Sequence, residues 1–320
     1  MRQLQVIQPD GNGAAMQATG VGCGGSSPSW PEKKPRCLKV RAPGGDNYRA
    51  LKQMMRSLGL NSVCEEAHCP NIGECWDSGT ATFLIMGDKC TRNCPYCAIA
   101  HGRPEELDDD EPRRVAEMIE QLQLRHVVIT SVDRDDLPDG GARIFAWTIE
   151  EIRARLPECS IEVLTPDFRG DSEAIERVIE AKPEIFNHNM ETVQRLHKTA
   201  RPGGRYRRSL DVLSTARGLD PDVLIKTGIM LGLGEQADDI RGFMDDALEA
   251  GVQILTLGQY LRPTETQLPI DRYVGPEEFA EWKRTGEALG FLHVESGPLV
   301  RSSYHAREQV EELRARAGIA

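Results

Sequence analysis

No apolar run in these 320 residues approaches the roughly 18 that a membrane helix needs. The opening MRQLQVIQPDGNG lacks the hydrophobic core of a signal peptide and the arginine-rich character of a transit peptide. A cytoplasmic, reducing location with no membrane partner is therefore expected. A basic excess is missing too: Lys and Arg number 39 against 50 Asp and Glu, a net charge of -11. A general nucleic-acid binder needs clustered Lys and Arg to neutralise phosphates, so no nucleic-acid partner is expected. An even cysteine count is also absent. Nine cysteines in a reducing compartment point to metal binding or redox chemistry rather than to a disulfide framework. With 39% hydrophobic and 28% charged residues the composition is otherwise that of an ordinary globular protein.

The run GDKCTRNCPYC holds Cys90, Cys94 and Cys97 in the spacing C-x3-C-x2-C, directly after the apolar residues 83–86. Just upstream, VCEEAHCPNIGEC holds Cys64, Cys69 and Cys75, spaced C-x4-C-x5-C. Thiolate is a soft ligand suited to zinc, copper(I) and iron–sulfur clusters. A structural zinc site closes with four ligands, usually from C-x2-C pairs. Each triplet has three cysteines and no second pair, although His68 or His101 can complete a zinc site. Three thiolates on an iron–sulfur cube leave one iron without a protein ligand, and an open iron can hold a small chelating cofactor. Cys23, Cys37 and Cys159 belong to neither triplet and receive no ligand role; Cys159, at the entry of an apolar run, reads as a small core residue.

Residues 1–45 begin with a Gly-, Ser-, Gln- and Pro-rich head that reads as a disordered extension. Residues 46–81 form a cysteine-bearing extension, opened by a short helix with Leu51, Met54, Met55 and Leu58 on one face. From residue 82 to 298 apolar runs (83–87, 126–132, 160–165, 184–188, 223–231 and 252–258) alternate with helical patterns. One such pattern places Val115, Met118, Ile119 and Leu122 together, and another begins at Pro276. Six strand–helix units in succession imply an α/β fold with a parallel sheet, read here as a partial (β/α)6 TIM-type barrel. A short C-terminal segment, 299–320, follows. Each apolar run ends in a polar or cysteine-bearing stretch, and reactions in such barrels occur at the carboxyl ends of the strands. One rim therefore gathers Cys90, Ser131–Arg134, Thr165–Asp167, Asn187–Asn189, Gly232–Glu235 and Gln259–Tyr260. Asp167 and Asp171 read as caps of the helix after residue 170.

C-x3-C-x2-C is the signature of radical S-adenosylmethionine enzymes, with Tyr96 at that motif's aromatic position. The segment GIMLGLGE (228–235) resembles the same family's adenine-contacting pattern, with Met230 for the usual isoleucine. A narrower resemblance runs from about residue 46 to 306. VCEEAHCPNIGECW, TSVDRDDLPDGG, LTPDFRGD, NHNMETV, IMLGLGE, LTLGQYLRPT and SGPLVRSSYHA occur in the order of the lipoyl synthase family. The resemblance implies two [4Fe-4S] clusters and S-adenosyl-L-methionine. Cys90, Cys94 and Cys97 then hold the radical cluster; Cys64, Cys69 and Cys75 hold an auxiliary one, with Ser303 as its fourth ligand. It implies sulfur insertion at C6 and C8 of an octanoyl chain on a lysine of a lipoyl carrier protein or domain. A 5′-deoxyadenosyl radical abstracts the hydrogens, and the auxiliary cluster is dismantled as the sulfur source. The implied partners are that octanoylated carrier, a reducing electron donor and the iron–sulfur assembly machinery.

Ser131, Asp133, Asn189 and Glu191 are the candidates for the ribose and methionine parts of the cofactor, although strand-end polar residues also cap helices and form turns. Arg201 is suited to a bidentate grip on the methionine carboxylate, or to the surface. Arg301 gates the auxiliary cluster or makes an ordinary salt bridge. The stretch Arg201–Arg208 is a local basic patch on which an acidic carrier can dock despite the overall charge, or a solvated loop. Two features depart from the family: the first 45 residues match nothing, and Glu295 stands where a small or weakly polar residue is usual, on the approach to Ser303. A methylthiotransferase also carries two clusters, but its upstream cysteines spread over a separate domain. A zinc-stabilised interaction module leaves the six strand–helix units without a purpose.

Overall fold

The computed structural model describes residues 34–40, 42–77 and 80–303. The expected disordered head, up to residue 33, and the local helix expected after Tyr304 lie outside the described residues. Helix α1 (Asp46–Ser57), strand β1 (Asn61–Ser62) and helices α2 (Val63–Glu66) and α3 (Ile72–Asp77) carry the first cysteine triplet. Strand β2 (Thr82–Ile85) follows, then a small parallel pair, β3 (Lys89–Cys90) and β4 (Ala100–His101), that brackets the second triplet. Strands and helices then alternate: α4 (Glu111–Leu122), β5 (His126–Ser131), α5 (Ala142–Arg155), β6 (Ser160–Leu164), α6 (Ser172–Glu180) and β7 (Ile185–Asn187). Helices α7 (Gln194–Ala200) and α8 (Tyr206–Leu219) lead to β8 (Leu224–Leu231), α9 (Ala237–Glu249), β9 (Ile254–Gln259), α10 (Pro276–Leu289) and β10 (His293–Gly297).

The large sheet has the order β1-β2-β5-β6-β7-β8-β9-β10, so consecutive strand–helix units lie side by side. Every pairing from β2 to β10 is parallel, and only β1 joins antiparallel. This is the open α/β barrel expected from the six apolar runs. A seventh parallel strand, β10, extends it. Its sequence HVESG has one strong apolar residue, and its place is set by pairing with β9 rather than by its own pattern. Glu295 sits within it, 3.4 Å from His293 Nε2. No helix among the described residues is long and apolar enough to cross a membrane.

The helices form where caps and apolar spacing coincide. Pro112 and Pro276 stand in the first turns of α4 and α10, where a missing N–H costs nothing. Asp171 accepts from Glu173 N–H as the N-cap of α6. Val115, Met118 and Ile119 of α4 are buried against the sheet. Along β6, Ile161 and Val163 face one way and Glu162 and Leu164 the other. Leu164 reaches the cavity described below, so Glu162 lies one layer deeper in the barrel. There its carboxylate meets Lys226 Nζ at 3.0 Å, both fully buried, and accepts from Asn187 Nδ2 at 2.8 Å. A charge layer closes the barrel beneath the site.

The described part of the amino-terminal extension is packed, contrary to a loose reading of residues 1–45. Leu38 is 5% exposed and clusters with Tyr260, Ile270 and Tyr273. Cys37 is disulfide-bonded; the other described cysteines are free thiols.

Candidate active site

The second cysteine triplet projects from the end of β2 and is tied to the rim. Thr91 N–H and Oγ–H both donate to Asp133 C=O, at 3.0 and 2.8 Å. Gly102 N–H donates to Cys90 C=O, and Gln267 Nε2 to Cys97 C=O. A cavity of about 260 Å³ opens against this loop. Cys90, Cys94 and Cys97 line it, and so do all six sequence candidates: Tyr96, Ser131, Asp133, Asn189, Glu191 and Arg201. Five of them follow the ends of β2, β5 and β7, as the strand-end argument requires; Arg201 instead stands at the C-terminus of α7.

Several polar atoms here are buried without protein partners. Ser131 Oγ has none, and Asp133 Oδ1 lies 3.2 Å from Arg92 Nη1 without forming an aligned hydrogen bond. Buried polar groups are ordinarily satisfied, so these atoms mark a place for a polar ligand. Burial pushes the Asp133 and Glu191 carboxyls up, with Arg92 and Arg201 opposing it at Asp133 and Arg201 at Glu191. Burial also pushes the thiols of Cys90 and Cys97 up to about 11 and that of Cys94 to about 12. Neutral thiols become thiolates when a cationic group arrives to accept them.

Arg201 is an interior residue and not a surface one. Its Nη1 donates to Asn189 C=O at 2.9 Å and lies 3.3 Å from His188 Nε2. His188 Nδ1 is 2.8 Å from Thr165 C=O and must therefore donate, which leaves Nε2 to accept from Ser209 Oγ–H at 3.0 Å. Burial first, and then the Arg201 charge, lower this imidazole to about 3. A depressed folded pKa means that the stability from His188 is complete above the unfolded value near 6.5 and is lost as pH falls toward 3. Denaturant unfolding at pH 7 and pH 4.5 is expected to differ by about 2–3 kcal/mol from this group. A His188→Gln chain should show a correspondingly shallower loss, and an unchanged slope would refute the assignment.

The first triplet builds a second chamber. Cys64, Cys69 and Cys75 line a small cavity of about 20 Å³ together with Arg301 and Ser303. The C-terminal segment is fixed there by three contacts. Thr82 Oγ–H donates to Ser303 Oγ at 2.8 Å, Ser302 and Asn189 exchange bonds at 2.6 and 2.9 Å, and Asn71 Nδ2 donates to Leu299 C=O at 2.7 Å. Gly258 permits the approach, since a Cβ there would stand 2.2 Å from Val300 C=O. Burial pushes the Cys69 thiol up to about 11. Among the described residues no three Cys, His, Asp or Glu groups close on a single metal ion. Three soft thiols spread around a chamber suit a polynuclear cluster better than one zinc.

Between the chambers lies a larger cavity of about 350 Å³. It shares Val63, Ala67, Tyr96, Cys97 and Leu164 with the first and reaches Cys64, Cys69, Arg301 and Ser303 of the second. Much of its remaining wall is apolar, including Pro70, Ala98, Met230, Leu261 and Pro263.

Sequence reasoning missed Arg92, in the middle of the cysteine loop. Its guanidinium bonds Asp135 twice, at 2.7 and 2.8 Å, and Asp167 at 2.7 Å. Asp171 caps the helix after residue 170 as expected, but Asp167 does not: it accepts from Arg169 N–H in the turn before that helix and holds Arg92 and Arg208. The expected basic patch is reduced: Arg201 and Arg208 bond inward, while Arg205 and Arg207 stay exposed, Arg207 at 3.8 Å from Asp246. Glu235 turns back to accept from Gly232 and Leu233 N–H at 2.5 and 2.9 Å, which closes the loop after β8.

An open parallel barrel with a C-x3-C-x2-C loop on its carboxyl rim is the framework of the radical S-adenosylmethionine enzymes. The Radical SAM superfamily profile matches residues 84–247. The solved FeFe-hydrogenase maturase HydG from Carboxydothermus hydrogenoformans shares the fold, with a TM-score of 0.52 at 14% identity over 84% of this chain and 78% of that one. The profile for the N-terminal domain of lipoyl synthase matches residues 28–69, so part of the first 45 residues belongs to a recognised unit. A lipoyl synthase of Rubrobacter xylanophilus is 59% identical over 88% of both chains. One from a Roseiflexus species is 53% identical over 89% of this chain and 95% of its own. The chain belongs to the lipoyl synthase family, radical enzymes that insert sulfur with two [4Fe-4S] clusters and S-adenosyl-L-methionine.

Proposed function

We propose that the large middle cavity holds the octanoyl chain of an octanoyl-lysine, with C6 and C8 placed between the two thiol triplets. The observation that carries this reading is that one apolar cavity touches Cys97 at one end and Cys64, Cys69 and Ser303 at the other. C–H bonds at such carbons are strong and nonpolar, so acid–base side chains cannot activate them. When bound, the clusters and S-adenosyl-L-methionine supply the hydrogen abstraction and the sulfur.

The chain's own residues position and enclose. Cys90, Cys94 and Cys97 hold the radical cluster, and Cys64, Cys69, Cys75 and Ser303 hold the auxiliary one. Ser131, whose buried hydroxyl has no hydrogen-bond partner, and Asp133 take polar parts of the cofactor, together with Asn189 and Glu191. Tyr96 forms the wall common to the first and middle cavities, and Arg201 presents its positive charge to the cofactor's carboxylate. Arg301 lies in the small chamber, where its charge opposes the burial of the Cys69 thiol; it gates that chamber. The carrier is an octanoylated lipoyl protein or domain in the cytoplasm. A reducing donor and the iron–sulfur assembly machinery serve the two clusters.

Anaerobic reconstitution with iron and sulfide should give about eight irons per chain, two cubes of four. The loaded chain should release 5′-deoxyadenosine and place two sulfurs on an octanoylated carrier peptide. Bound zinc without cofactor cleavage would sink the reading. A Ser303→Ala chain should alter the auxiliary-cluster spectrum and lose sulfur insertion while still releasing 5′-deoxyadenosine; full insertion with an unchanged spectrum rejects Ser303 as a ligand.

A further inference from the structure

We propose that the acyl carrier docks on a basic collar formed by residues 34–39 at the mouth of the middle cavity, and that the carrier meets it with an acidic surface. This deepens, and rests on, the functional reading above.

The chain as a whole is acidic, at -11. Beyond a Debye length of roughly 8–10 Å its field is screened, so an acidic partner can be held only by a local patch. Around the start of helix α8, Arg201 and Arg208 bond inward and the exposed Arg207 already stands 3.8 Å from Asp246, so less free charge is left there than on residues 34–39. The stretch Lys34-Pro35-Arg36-Cys37-Leu38-Lys39-Val40 has three cations and no acid. Lys34, Arg36 and Lys39 are all exposed. None of the three has an ion-pair partner among the described residues.

This collar is fixed to the cavity and not merely near it. Lys34 lines the opening. Leu38, between Arg36 and Lys39, is buried against Tyr260, and Tyr260 lines the same cavity. On α2, whose Val63 and Cys64 form part of that wall, Glu65 is held by Lys52 at 2.9 Å and is not free to neutralise the collar. An acyl chain inserted here leaves its lysine backbone at the mouth. The carrier residues flanking that lysine must then lie beside the exposed cations. Cations without an ion-pair partner among the described residues, set around an acyl cavity, select an acidic neighbourhood for the acylated lysine and accelerate its encounter.

The test uses the full reconstituted chain and two labelled octanoyl-lysine peptides, one flanked by glutamates and the other by glutamines at the same places. Fluorescence anisotropy at low salt should show the glutamate peptide binding about tenfold more tightly, with the gap closing as salt screens it. An Arg36→Glu/Lys39→Glu chain should lose the gap, and Arg205→Glu should keep it. Equal affinities in the unaltered chain, a gap that survives the double reversal, or a gap abolished by Arg205→Glu alone each overturns the proposal. Turnover of the glutamine peptide is read separately. Its absence would strike the functional reading, while the binding gap still decides the collar.

Discussion

A Cys69→Ala chain is expected to keep cleaving S-adenosyl-L-methionine while transferring no sulfur at all. Cys69 lines the small chamber and the middle cavity but not the cavity around the second triplet. Its loss removes one of three soft donors from the small chamber and leaves the other triplet's contacts untouched. Iron should fall from about eight to about four per chain, and 5′-deoxyadenosine should still accumulate when octanoyl peptide is present. Cys94→Ala should give the reverse pattern, since Cys94 lines only the first cavity: about four irons remain, and cofactor cleavage is lost. Mass spectrometry of the peptide separates the two cases. Sulfur on the peptide from Cys69→Ala would mean that the small chamber is not its source.

The two triplets were legible in the sequence because both are local and carry soft donors; their separate roles came from the family resemblance. The six parallel strands were legible for a similar reason: each is a short apolar run ending in polar residues, which periodicity alone exposes. β10 was not, because HVESG owes its strand state to hydrogen bonds with β9 and not to apolar patterning. Leu38 was missed likewise, as one leucine in a basic proline-containing stretch gives no period, and its partners Tyr260, Ile270 and Tyr273 lie more than 200 residues away. Arg201 could be read as surface or site because composition does not tell which arginines turn inward. Its burial follows from Asn189 C=O and the His188–Ser209 pair. The basic patch of residues 201–208 is smaller than it looked for the complementary reason: two counter-charges, Asp167 and Asp246, come from other elements.

Arg92 is the residue whose weight was least visible, and replacing it with alanine should be the most damaging change outside the cysteines. Its guanidinium is 5% exposed and faces three carboxylates, those of Asp133, Asp135 and Asp167. Burial pushes the Asp167 carboxyl up, but the Arg92 hydrogen bond and charge outweigh it and hold the group well below the usual carboxylate range. A depressed folded pKa gives stability that is present above the unfolded value near 3.9 and lost as pH falls below it. Without Arg92, buried carboxylates at the cluster loop lose their main compensation, at a cost of about 3–5 kcal/mol near neutral pH. That deficit should shrink as pH falls toward 4 and below, where the variant's carboxylates can take up protons while Asp167 beside Arg92 stays ionised and loses its advantage over the unfolded chain. Arg92→Lys should recover only part of it, because an ammonium is a point charge and cannot fork across Asp135 while reaching Asp167. The loop that Arg92 anchors carries Cys90, Cys94 and Cys97, so iron loading at that triplet should fall in step with stability, whereas the auxiliary iron persists. Arg92→Ala with full iron and an unaltered difference between pH 7 and pH 3.5 would show that the loop is held by its backbone bonds to Asp133 and Cys90 alone. The expected loss, restored in part by lysine, would show that the geometry of the cysteine loop depends on a buried charge held by carboxylates from two strand ends, those of β5 and β6.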